Sequence, residues 1–313
     1  MKDAIGEASN AVNGRRDRGA RYVIPARRVR GAQFGHFAMC HVLPGALIVG
    51  LPALMPGMIK PTAWSLLLWA VMWTLTGGAG ISVGYHRLYA HRSFTASTVF
   101  KYLLTFCGGM AAQGPVMYWV ALHRRHHALA DLPGDPHSPA PASTGHASPL
   151  LSFLSGHLLW AFRHDVPMPS RYVPDLLKDP AAKWSQRIYP LAVLTGLAVP
   201  AAIGAAIEGG WAGALNGVYW GGLVRLVVGH HLIWSINSFG HALGRRSHDT
   251  PDASRNVAWL ALPTFGESWH NNHHAAPTSA CFAREVWRLD SGWWMVRLAR
   301  WLGHASNVRT ARQ

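Results

Sequence analysis

Residues 269–274 read Trp-His-Asn-Asn-His-His, three imidazoles within six residues and no carboxylate among them. The same H-x-x-H-H spacing recurs at His123, His126 and His127, and H-x-x-x-x-H occurs once, at His86 and His91. Positions i, i+3 and i+4 share one face of a helix, so each triplet projects its three rings toward a common point. His86 and His91 lie roughly 140° apart around an α-helix. They would serve different sides of a cluster, or the helix must end between them. Neutral imidazole is the commonest biological metal ligand. Eight such nitrogens are too many for one ion and suit two.

Imidazole suits zinc, iron, copper and nickel. Zinc is satisfied by three or four protein ligands. Eight or nine histidines, sharing two ions with room for an exogenous ligand, point instead to a redox pair that binds oxygen. A ferritin-like carboxylate centre needs two Glu-x-x-His motifs, and this chain has one, Glu267 to His270. Glu267 is therefore expected beside the ligands, fixing the tautomer of an imidazole. The scattered His36, His41, His146, His164, His248 and His304 are read as surface or ordinary core residues. His137 and His157 are left unassigned.

The elements that must carry these boxes are long and apolar. Half of the 313 residues are hydrophobic and 14% are charged, against roughly 25% charged in an ordinary soluble protein. Phe37 to Ile59 and Pro61 to Tyr85 contain no Lys, Arg, Asp or Glu, and Lys60 alone separates them. Tyr189 to Ile207 is a third such run, and a fourth, from Gly209 to about Ser235, is interrupted only by Arg225. Each has the length a bilayer requires, about 20 residues. The short connectors make two helical hairpins. Arg225 would be costly in hydrocarbon, so the fourth helix is expected to leave the bilayer near it, with His230, His231 and His241 beyond the lipid. Tyr102 to Leu122 is also uncharged. If it crossed, the first two histidine boxes would lie on opposite sides, so it is expected to run along the surface or fold back. Gly108, Gly109, Gly114 and Pro115 make it a poor spanning helix.

The formal charge of +15 concentrates at the N-terminus, at Lys2, Arg15, Arg16, Arg18, Arg21, Arg27, Arg28 and Arg30, whereas the opposite connectors offer Lys60 and Glu208. By the positive-inside rule both termini and all three boxes are cytoplasmic. No apolar run precedes residue 37, so no cleavable leader is expected. No nucleic-acid motif or aromatic-interleaved basic stripe occurs, which leaves nucleic acid out as a partner. Cys40, Cys107 and Cys281 form no CxxC and imply neither a disulfide framework nor a thiolate metal site. The expected fold is an all-α integral membrane protein: four transmembrane helices in two hairpins, under a cytoplasmic helical cap holding a di-metal centre.

The segments GYHRLYAHRSF, HRRHHALADLPGDPHSP, NSFGHALGRRSHDTPDASRN and TFGESWHNNHHAAP together resemble the membrane fatty acyl desaturases, most closely the stearoyl-CoA Δ9 type in its bacterial form. The resemblance covers residues 35–285, flanked by a basic tail, 1–34, and a C-terminal tail, 286–313. It implies two iron ions held by His86, His91, His123, His126, His127, His270, His273 and His274, with His241 as a ninth ligand and Asn237 reaching iron through water. Gln113, Trp119 and Trp234 match residues that line the acyl tunnel. The implied reaction is O2-dependent insertion of a cis double bond, at Δ9, into a saturated acyl chain carried as acyl-CoA or acyl lipid. Hydroxylation of an alkyl or lipid chain on the same scaffold is the alternative, and a zinc-dependent membrane protein a more distant one. Leu122 stands where animal members carry Asp, and no HPGG-like cytochrome b5 segment is appended. Electrons would come from a separate ferredoxin, rubredoxin or cytochrome b5-like protein with its reductase.

Overall fold

The structure, a computed structural model, describes residues 22–145, 148–284 and 288–311. Lys2, Arg15, Arg16, Arg18, Arg21 and His146 lie outside the described residues. The described chain is mostly helical, and three of its helices are long and apolar enough to cross a membrane: Ala26–Leu54 (α1), Ala63–Ala90 (α2) and Pro180–Ala242. The third is two arms. Gly209 and Gly210 both take positive φ, 87° and 56°, a conformation that costs glycine little. The chain reverses there, and residues 180–209 (α6) pack on 210–242 (α7) so closely that a methyl on Gly204 would strike the backbone of Gly213 and Gly217. A Thr62/Ser65 capping box starts α2, and an Asp179 side chain accepting from Ala182 N–H at 3.0 Å starts α6. Both supply partners for donors that a helix end leaves unpaired.

The two hairpin turns lie side by side. The Thr62 hydroxyl donates to Glu208 at 2.5 Å, and Asn216 donates to Glu208 at 2.7 Å while accepting from Lys60 N–H at 3.1 Å. The histidine boxes all gather at the other end of α2. The run from Tyr102 to Leu122 folds back. Thr98–Met110 (α3) descends along α2, with Gly108 opposite Gly80 and Leu104 opposite Gly84. The chain turns at Ala112 and Gly114, φ 55° and 93°, and Val116–Leu129 (α4) climbs back. Thirteen residues make a helix of about 20 Å, short of the roughly 30 Å of bilayer hydrocarbon. His123 thereby returns to the end of α2 that carries His86.

Around this core come Pro149–His157 (α5), the short His270–Ala275 (α8) and Ser291–Trp301 (α9). Two-residue strands depart from the all-helical expectation: Val23–Ile24 (β1) pairs with Val166–Pro167 (β3), and Thr95–Ala96 (β2) with Ala305–Ser306 (β4), both antiparallel. Arg225 is enclosed by the helices, 1% exposed. Its guanidinium donates to the carbonyls of Gly221, Met110 and Gly196 at 3.1, 2.7 and 2.7 Å. Those oxygens satisfy the charge within the protein. Helix α7 continues to Ala242, and His230 is buried, with Nε2 at 3.0 Å from the Ala111 carbonyl.

Candidate metal centre

The end of α2 is wound more widely than an α-helix. Over Thr74–Ala90 the hydrogen bonding is of the five-residue, π type, a form that recurs at functional sites. His91 N–H donates to the His86 carbonyl at 3.1 Å, and the helix ends at Ala90. The helix thus does end between the two histidines, and their rings meet at 4.8 Å between centroids instead of pointing apart. Arg124 clamps this end to α4 by donating to the carbonyls of Tyr89 and Ala90 at 2.6 and 3.1 Å and to both oxygens of Asp175 at 2.7 and 2.9 Å.

The third box sits on α8, only six residues long, too short to hold itself. Its two asparagines hold it. Asn271 accepts from the N–H groups of Ser247 and His248, both at 2.7 Å, and donates to the His248 carbonyl at 3.1 Å. Asn272 accepts from Asn256 Nδ2 at 2.8 Å and donates to the Phe282 carbonyl at 2.9 Å. These contacts explain why WHNNHH carries asparagine between its histidines.

All nine expected histidines converge, in two adjoining groups. His86, His91, His123, His127 and His273 form one; His126, His241, His270 and His274 form the other. Within each group the candidate ligand atoms lie within 4.8 Å of one another. The Nε2 atoms face inward: His91 to His123 at 2.7 Å, His273 to His127 at 3.0 Å and His86 to His273 at 3.2 Å in the first group. In the second, His241 lies 3.0 Å from His270 and His126 lies 3.4 Å from His274. Two nitrogens bound about 2.1 Å from one ion, at roughly 90–110°, would be about 3.0–3.4 Å apart.

The opposite ring nitrogens decide what those Nε2 atoms are. Asp135, Asp131 and Asp252 each take the Nδ1–H of one imidazole, those of His126, His241 and His274, all at 2.9 Å. Glu267 meets His86 Nδ1 in the same way. With the proton on Nδ1, Nε2 is a bare lone pair. His126 and His274 therefore point two lone pairs at each other inside a buried site, an arrangement that a cation between them resolves. The carboxylates fix the tautomer and raise the basicity of each ligand. Burial first, and neighbouring imidazoles second, hold His123, His127, His270 and His273 well below the ordinary histidine pKa, so they are neutral near pH 7, the state a metal needs. Burial opposes charge on His126, but Asp135 outweighs it and raises the pKa. The same field favours a cation at Nε2.

Glu267 does fix an imidazole, but that of His86, not of its sequence neighbour His270. It also accepts from Ser82 and Arg87, each at 2.5 Å. Arg87, fully buried, donates to Asp290 at 2.9 Å and lies 3.9 Å over the Phe282 ring, which packs on His273 at 4.5 Å and His86 at 5.4 Å. Sequence reasoning missed Arg87, Asp131, Asp135, Asp252 and Asp290. The signal for two of them was present: Asp131 and Asp135 follow His127 by four and eight residues. His137 also belongs beside the site, its ring 4.5 Å from that of His126.

Trp119 stacks on His123 at 5.2 Å and meets the edge of His86 at 5.9 Å. Its indole N–H donates to Gln113 Oε1 at 3.3 Å. Gln113 and Trp234, with Phe37, His41, Tyr118 and Trp160, line a cavity of about 50 Å³, which Trp119 does not line. That volume holds a few waters, well short of an acyl chain. Asn237 is half-buried one turn before His241. His36, His41, His164, His248 and His304 pair with Tyr189, His230, Tyr118, Arg284 and Ser97 respectively, and His157 with Ser238 and His231.

Helices long and apolar enough to cross a membrane, topped by buried, carboxylate-backed histidine groups able to hold metal, define the class of fold and site. Comparison with known proteins gives the family. The family model for fatty acid desaturases matches residues 61–300. A hex-5-enoyl-[acyl-carrier protein] acetylenase of Moorena producens is 41% identical over 86% of this chain and 84% of that protein. The sn-1 stearoyl-lipid 9-desaturase of Anabaena variabilis is 36% identical over 77% and 82%, and Delta-9 acyl-lipid desaturase 1 of Arabidopsis thaliana is 36% identical over 79% and 76%. The chain belongs to the fatty acid desaturase family and is an oxidoreductase of lipid metabolism.

Proposed function

We propose that this protein uses O2 to remove two hydrogens from adjacent methylenes of a fatty acyl chain, forming a cis double bond at Δ9. One O2, two electrons and two protons are consumed together with the two substrate hydrogens, and two waters leave. The facing Nε2 lone pairs in groups of five and four carry this reading, because they would form a buried two-ion site built only of imidazoles. His86, His91, His123, His127 and His273 would hold one iron, and His126, His241, His270 and His274 the other. Asn237 would reach the second through water. Bound iron would supply O2 activation and hydrogen abstraction from an unactivated carbon.

The protein's own part is positioning and exclusion. Asp131, Asp135, Asp252 and Glu267 keep each proton on Nδ1. Phe282 and Trp119 wall the five-histidine group from water. Trp119 and Gln113 stand between the imidazoles and the cavity beside Trp234, so the reacting methylenes would pass them, with the cavity opening further when a chain enters. The acyl carrier is a membrane glycerolipid or CoA; relatives named for stearoyl-lipid and acyl-lipid substrates favour the lipid. The two electrons come one at a time from a ferredoxin, rubredoxin or cytochrome b5-like protein. In this reading α1, α2, α6 and α7 cross the bilayer. Arg27, Arg28 and Arg30 mark the cytoplasmic side, and the Lys60 and Glu208 turns the other. Identity to an acetylenase favours one second reading, removal of two further hydrogens from an alkene to give a triple bond.

The test is expression in a host unable to make unsaturated fatty acids, with lipid profiling by mass and metal analysis of the purified protein. The expected product is two hydrogens lighter than its precursor, with two irons per chain, and it vanishes in His273→Ala. A product heavier by one oxygen would replace desaturation with hydroxylation. A His273→Ala protein that still makes the alkene would end the ligand assignment.

A further inference from the structure

Both faces of α9 are apolar. Gly292, Val296 and Ala299 are buried, and Met295 fills the space beside Gly78 of α2. The opposite face shows Trp294, Leu298, Trp301 and Leu302, which are 47, 54, 81 and 55% exposed. They fall at i, i+4, i+7 and i+8, one stripe, with Arg297 and Arg300 at its border. A helix packed on one side in water puts polar residues on that outer stripe.

A second exposed apolar pair sits close by. Trp259 and Leu262 are 66 and 59% exposed. Their turn is tied to α2, because the Trp73 indole donates to the Pro263 carbonyl at 2.9 Å and Phe265 packs on Trp73 at 5.6 Å. Phe265 also borders Gly78, and its carbonyl accepts from Gly292 N–H at 3.2 Å. The turn and α9 are thus fixed to the same stretch of α2, Trp73 to Gly78. Next to that stretch are Val71 and Leu75, exposed positions of the apolar span.

We propose that α9 and the 258–262 turn form a collar that lies in the surface of the bilayer, apolar stripe among the acyl chains and Arg297 and Arg300 against anionic headgroups. The inference rests on the reading that α2 spans a membrane. Continuity with the lipid-facing surface of α2 identifies the occupant as lipid, and tryptophan with flanking arginine is the composition of an interfacial helix. The collar is mechanically joined to the metal centre. Asp290 caps α9, accepting from Trp293 N–H at 2.9 Å, and grips Arg87, which grips the Glu267 that holds His86. Seating α9 in the leaflet therefore sets the height of the five-histidine group above the lipid from which the substrate comes.

The test places photoreactive benzoylphenylalanine at Trp301 in the full chain, reconstituted in vesicles of phosphatidylcholine and phosphatidylglycerol. Parallel probes replace Val71 and the fully exposed Asp249. After illumination, intact-protein mass spectrometry should show a shift of one phospholipid at Trp301 and at Val71 and none at Asp249. A shift at Val71 without one at Trp301 overturns the collar alone. No shift at either overturns the spanning reading on which it rests.

Discussion

Replacing Asp252 by Asn changes one atom and should empty half of the centre. Asp252 Oδ2 accepts from His274 Nδ1 at 2.9 Å, while Oδ1 accepts from Ser254 N–H at 2.9 Å and the Thr250 hydroxyl at 3.2 Å. Asparagine has a single oxygen. Ser254 N–H can only donate, so the amide oxygen must turn to it and the NH2 must face His274. Nδ1 then has to accept, and the imidazole proton moves to Nε2. That hydrogen points at His126 Nε2, 3.4 Å away, where an ion would sit. A protonated nitrogen cannot ligate. Loss of such a carboxylate partner costs about 10–100-fold in metal affinity, or about 1.4–2.7 kcal/mol. The cost should fall on the four-histidine group alone, because the five-histidine group has its own carboxylate, Glu267. Chelator competition with iron counting reads it directly: one of two ions should be stripped at a lower chelator concentration while the other is held as in the parent. Equal resistance at both sites would refute the tautomer argument. Uniform loss of both would show that the groups do not act as separate sites.

Arg87→Met leaves Glu267 and Asp290 buried without their shared cation and should destabilise the fold by about 3–5 kcal/mol, read as a lowered unfolding temperature in detergent. Gly80→Ala puts a methyl into the Gly108 backbone; overpacking of this kind costs about 1–3 kcal/mol, and a variant as stable as the parent would contradict the close α2–α3 approach. His274 is held down to about 4 from 6.5, by burial. Below pH 6.5 the unfolded chain takes that proton first, so this stability is present above 6.5 and lost as pH falls toward 4. Acid titration of the metal-free protein should show unfolding in that window, and a flat stability from pH 7 to about 4 would contradict it.

The sequence by itself determined the apolar spans, the three boxes and their shared side, because helical period and uncharged length are local properties of the chain. It also determined eight of the nine imidazoles that meet, since each lies in a box of fixed spacing; the ninth, His241, followed from the resemblance of NSFGH to the family. Tertiary structure decided how they divide. His126 and His127 are neighbours on one helix yet enter different groups, and His273 and His274 likewise, a sorting made by which rings α2 and α7 present opposite them. The wide turns that swing His91 back toward His86 were invisible to a period of 3.6. So were the imidazoles that each carboxylate would meet: Asp131, Asp252 and Glu267 reach theirs across 110, 22 and 181 residues, and no local pattern encodes such a distance. Arg225 shows the same limit. In sequence it is a charge within an apolar run, and only three carbonyls from three helices make its burial possible.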